Sequence, residues 1–162
     1  MGGILIAIGV TAGTLQFVWP EGADRAYGVV RAGVVELEAA LDPALPAVRL
    51  SGPGDVAALD SCDGSFVEMT SYGTEIIPVY AAHNDCGGDE IHPWGVGQRV
   101  HVEGQTDTFV VVDVRDTPKK WVTTDALIGL DGSFALQTCY YGENRMKFVA
   151  LEPAGALSAR GA

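Results

Sequence analysis

Between Ser65 and Leu151 the chain is cut into short runs whose side chains alternate or are β-branched, and this pattern restricts it to a β-rich fold. The runs are Phe66–Met69, Glu75–Tyr80, Arg99–Val102, Phe109–Val114, Phe134–Thr138 and Met146–Leu151. Gly, Asn and Asp punctuate them, as at Asp131-Gly132 and Gly142-Glu143-Asn144, because these residues accept the backbone angles of tight turns. Six short strands with one small helical insert over Thr124–Leu130 predict a mainly β domain, a barrel or a sandwich.

Ahead of that domain the period is helical. Tyr27, Val30, Val34, Leu37 and Leu41 recur at three- and four-residue steps, so Asp24–Leu41 reads as an amphipathic helix. Asp24 can cap its start, and Asp42-Pro43 stops it, since proline cannot continue the hydrogen-bond ladder. Asp42–Asp60, with three prolines and two glycines after it leaves the helix, reads as a connector. Met1–Trp19 contains no charged side chain and is followed by Pro20 and Glu21. It is long enough for a secretory signal or membrane anchor, and equally for a buried strand or helix of the fold. The expected organisation is therefore a signal or anchor over residues 1–20, a helix and connector over 21–60, a β domain over 61–155 and a tail over 156–162.

Charge narrows the function classes. Asp and Glu number 21 against 10 Lys and Arg, a formal charge of -11 without a basic cluster to offset it. Such a field repels phosphate backbones, which argues against nucleic acid and against a polybasic membrane contact.

Chemistry concentrates at two strand ends. In Phe134-Ala-Leu-Gln-Thr-Cys139, the alternation puts Ala135, Gln137 and Cys139 on one face, small and polar and so better suited to a site than to a core. Arg145 opens the next strand, where a guanidinium would favour the thiolate and bind a developing oxyanion. His83 closes the run Ile76–Ala82 just before a Gly-rich loop, a position from which imidazole can transfer protons at neutral pH. Each has a plain structural reading as well: a buried thiol, an exposed strand-end charge, a loop histidine. His92 and His101 read as loop and strand positions without a role.

His83, Leu136-Gln-Thr-Cys139 and Arg145 together resemble the sortase family, in which a β-barrel carries a catalytic His, a Cys in a TLxTC motif and an Arg on the following strand. The resemblance runs from about Glu75 to Leu151 and takes in Gly97-Gln-Arg-Val-His-Val102. Ala135 stands where the first Thr of the motif is usual, and the turn from Cys139 to Arg145 is short for the family. The resemblance implies a sortase-like β-barrel and a cysteine transpeptidase. Cys139 would attack a peptide carbonyl, Arg145 would hold the oxyanion, and His83 would protonate the leaving amine. An acceptor amine would then resolve the thioester. Partners would be a peptide or protein substrate and that amine, without a cofactor or metal, at the cell surface and with a membrane contact through residues 1–19. Thr138, Tyr140, Tyr141, Asp113 and Arg115 would border the substrate groove, or else be ordinary strand and hairpin residues. A second reading keeps the barrel and drops the chemistry, making the chain a binding or structural module of a surface or viral assembly. A hydrolytic thiol peptidase on the same residues is a third.

The other cysteines leave three readings. If the domain is exported, a Cys62–Cys86 disulfide would tie the start of the domain to the loop after His83 and leave Cys139 free. Alternatively His83, Cys86 and His92 are spaced for zinc, or the thiols stay free in a cytosolic protein.

Overall fold

The computed structural model describes residues 19–41, 44–119 and 124–160. In chain order it contains helix α1 (Pro20–Leu41), strand β1 (Ala47–Gly54), a one-turn helix α2 (Val56–Leu59), β2 (Ser65–Met69), β3 (Val79–Ala81), β4 (Arg99–Val102), β5 (Thr108–Pro118), β6 (Phe134–Cys139), β7 (Arg145–Pro153) and helix α3 (Ala154–Arg160). The chain is thus mainly β, with seven strands in one mixed sheet.

Hydrogen bonding runs β1-β2-β3-β6-β7-β5-β4. β4 then returns to β1 through the parallel pairs Ala47↔His101 and Val48↔Val102, so the sheet closes on itself. The β1–β2 and β3–β6 pairs are also parallel, and the rest are antiparallel.

The segment expected to be a connector supplies a strand. Val48 is buried and Leu50 packs against the core, which is reason enough for Ala47–Gly54 to join the sheet. Pro53 sits where the β1–β2 register shifts, a bulge being where a strand tolerates a residue without an N–H. Asp55 then caps α2, its carboxylate accepting from the Ala57 and Ala58 amides at 3.0 and 3.2 Å. The sheet therefore begins before residue 61, and α3 occupies most of the expected tail. β3 is shorter than the run from Ile76: Pro78 has no N–H to donate, though its carbonyl accepts from Ala135 N at 2.8 Å. The insert after residue 124 is a 3-10 turn, Asp125–Leu127.

The core lies on both faces of β6 and β7. Phe66, Val100, Leu136, Val149 and Leu151 form one cluster, and Val79, Leu127, Ala135, Phe148 and Ala150 another. Burying a side chain such as Phe66 or Phe148 is worth about 2–3 kcal/mol.

Helix α1 starts at Pro20, four residues before the expected Asp24, because proline is accommodated in the first turn. Most of its apolar stripe stays exposed, Val30 at 67% and Leu37 at 58%, while Tyr27 meets the Tyr141 ring edge-on. The helix is also attached by Arg25 Nε, which donates to Gly142 O at 2.9 Å, and by Arg31 Nε, which donates to Asp89 Oδ2 at 2.8 Å. Among the described residues no helix is long and apolar enough to cross a membrane. Residues 1–18 of the apolar N-terminal segment, and the Asp42-Pro43 stop, lie outside the described residues.

Candidate active site

The parallel β3–β6 pair assembles the site. Its register is Val79↔Ala135, Tyr80↔Leu136 and Ala81↔Gln137. Ala82 N continues the ladder to Gln137 O at 3.1 Å, and Thr138 Oγ1 donates to Ala82 O at 3.1 Å. Parallel strands end on the same side, so two residues further on His83 and Cys139 arrive together. Both line one open cleft of about 710 Å³, whose walls include Val56, Leu59, Met69, Tyr72 and Met146. A second cavity of about 390 Å³ reaches Cys139 from the side of α1 and the β6–β7 turn, and Lys119 borders both.

His83 is held by a residue that sequence reasoning passed over. Its Nε2 lies 2.8 Å from Asp60 Oδ1, just past the end of α2, which leaves Nδ1 as the ring nitrogen for other work. A carboxylate on one imidazole nitrogen orients the ring. Asp60 lies 23 residues from His83, and no local spacing links them. The Cys139 sulfur has a different neighbour, the Gln137 amide, with Nε2 at 4.0 Å from Sγ. His83 and Cys139 share the cleft without a hydrogen bond between them.

Arg145 is placed elsewhere. Cys139 pairs with Met146 across β6–β7, and Tyr140 N donates to Arg145 O at 3.0 Å, so Arg145 falls opposite Tyr140 on the other face. Its guanidinium bonds Glu143 Oε2 at 2.9 Å and Asp116 Oδ2 at 3.0 Å and lies 3.9 Å above the Tyr140 ring. It lines neither cavity, so the oxyanion role expected of it has no geometric basis here.

The remaining expected residues divide. Thr138 is fully buried and ties the two strand ends together, so it positions and does not contact a ligand. Tyr140 borders the smaller cavity and donates to Asp116 Oδ1 at 2.9 Å; burial first, then Asp116, pushes its phenol up to about 12. Tyr141 donates to Asn84 O at 2.8 Å and stands edge-on to Tyr27, which makes it part of the α1 attachment. Asp113 and Arg115 pair with each other at 3.1 Å, and Arg115 also caps the Ala126 and Ile128 carbonyls at 3.2 and 2.9 Å. Arg115 is a clamp on the 3-10 turn, and neither it nor Asp113 reaches the cleft.

Cys62 and Cys86 are disulfide-bonded, with their Cα atoms 5.0 Å apart, and Cys139 is a free thiol. The bridge removes Cys86 as a zinc thiolate, and the described residues contain no cluster of three metal-ligating side chains.

His92, expected to have no role, packs beside the site. Its ring stacks on Tyr140 with centroids 4.8 Å apart, and Nε2 donates to the Cys139 carbonyl at 3.1 Å. Burial lowers its pKa against the opposing pull of that hydrogen bond and of Asp89. No family model, curated protein or solved structure matches this chain.

Proposed function

We propose that this chain is a sortase-like cysteine transpeptidase with Cys139 as nucleophile and His83 as acid and base, oriented by Asp60. The observation that carries the reading is the β3–β6 register, which delivers His83 and Cys139 to one cleft. The free state of Cys139 beside a bridged Cys62–Cys86 pair supports it, as does the apolar wall that a peptide side chain can occupy. The thiolate adds to a peptide carbonyl, His83 gives a proton to the departing amine, and a thioester remains on Cys139. An acceptor amine then attacks, losing its proton to His83. Transfer prevails over hydrolysis where the amine is held against the thioester and water is not. The disulfide fits an extracytoplasmic setting.

Arg145, engaged by two carboxylates, favours the rival reading of a sortase-like barrel that binds without catalysing. Timed alkylation of the non-reduced protein with iodoacetamide from pH 5 to 9, mapped by peptide mass spectrometry, separates the two. A nucleophilic site gives fast labelling at Cys139 that His83→Ala changes by about tenfold and Asp60→Asn by less. A thiol that labels slowly at every pH, unaffected by His83→Ala, excludes the enzyme and leaves the binding module.

A further inference from the structure

We infer that the Gln137 side-chain amide is the oxyanion donor of this site, the role that Arg145 does not fill. The inference rests on the reading of Cys139 as an acyl-forming nucleophile. Gln137 is 8% exposed, between Ala81 on β3 and Phe148 on β7, in a setting where a buried amide is costly unless it has a partner. The hydrogen-bonding neighbour of its side chain is Cys139 Sγ, at 4.0 Å from Nε2. Gln137 lines the same cleft as Cys139, and its Nε2 carries a second N–H besides the one directed at the sulfur. A polar group nine-tenths buried, lining the cleft and next to the sulfur has the placement that acyl chemistry requires.

When Sγ bonds to a carbonyl carbon, the carbonyl oxygen takes the electron pair of the C=O bond and comes to lie beside the sulfur. A donor already 4.0 Å from the sulfur can then reach that oxygen as a bridging N–H, and asparagine and glutamine amides serve as such donors. Two competing donors are spent or displaced, and a third, Lys119, borders both cavities and is tested below. Tyr140 N is bonded to Arg145 O, and the Arg145 guanidinium is held by Glu143 and Asp116 on the other face. A neutral amide also suits a thiol site, because it strengthens its hydrogen bond only as negative charge moves onto oxygen.

Two electrophiles test this on the free thiol. Iodoacetamide alkylates Cys139 by displacing iodide and develops no oxyanion. With 4-nitrophenyl acetate the thiolate adds to the ester carbonyl, the oxyanion collapses, 4-nitrophenolate leaves and an acetyl thioester remains. Gln137→Met removes the donor at nearly constant volume, and Gln137→Glu does so with a carboxylate of the same shape. Both are expected to lower the ratio of acylation to alkylation rate about a hundredfold, the low end of the range for loss of one oxyanion donor. Arg145→Met is expected to leave that ratio unchanged. The inference is overturned if neither Gln137 variant changes the ratio, if both reactions slow together, or if Lys119→Met or Arg145→Met carries the loss. A wild-type Cys139 inert even to iodoacetamide removes the nucleophile, and the inference with it. An intact alkylation rate with an unchanged ratio removes the inference alone.

Discussion

At the scale of residues, His92 links the strand end that carries the thiol to the loop after His83, and its protonation state is coupled to folding. Burial lowers its pKa from the ordinary 6.5, with Lys147 and Arg145 adding in the same direction. Below about pH 6.5 the unfolded chain takes up a proton that the folded imidazole resists, so stability falls as pH drops through that value. Thermal unfolding midpoints at pH 7.5 and 5.5 check this: His92→Gln is expected to shrink the fall seen for the wild-type chain. An equal fall in both would mean that His92 titrates in the fold as it does in water. The same scale explains what was readable at the site. Cys139 and His83 stood out because thiol and imidazole at strand ends are chemically distinctive. Gln137 was legible only as part of a small polar face and Asp60 not at all, since an amide and a carboxylate occur anywhere and only their neighbours give them work.

At the scale of elements, α1 is held on the domain by close backbone approach more than by its apolar stripe. A Cβ at Gly28 would lie 2.7 Å from Tyr141 Cβ, and one at Gly142, where φ is +59°, would lie 2.3 Å from Glu21 O. Gly33 on the same helix meets nothing within 4 Å. Alanine is a better helix former than glycine by about 1 kcal/mol, so Gly33→Ala is expected to stabilise by about that amount. Gly28→Ala carries the same propensity gain and is expected to loosen α1. Limited proteolysis within Pro20–Leu41 would then be faster than wild type for Gly28→Ala and no faster for Gly33→Ala. Helical periodicity predicted this helix but not the face by which it docks. The three- and four-residue spacing shows which residues align, while Arg31, Asp89 and Tyr141 decide which side meets the domain.

At the scale of the whole molecule, the Cys62–Cys86 bond joins the approach to β2 to the loop beyond β3, across a separation of 24 residues. Chain entropy assigns such a closure about 3 kcal/mol. Denaturant unfolding of the Cys62→Ser/Cys86→Ser protein is expected to show a loss of that order. A loss well under 1 kcal/mol would mean that the sheet holds those loops without the bridge. The seven-stranded ring itself depends on the short β4–β1 contact, which uses a segment that composition alone marks as linker.

The sequence by itself determined that the chain is mainly β, because alternation and turn residues are local properties that each strand carries. It also determined where α1 lies and which thiol and imidazole end strands. Strand order, by contrast, was decided only in three dimensions. β3 and β6 are far apart in the chain, and their parallel pairing depends on how both faces of the sheet fill. That pairing brings His83 to Cys139, puts Gln137 beside the sulfur and, through the one-residue offset of β7, turns Arg145 away. Side-chain direction alternates along a strand, so the partner register that burial selects decides which side of the sheet a residue serves.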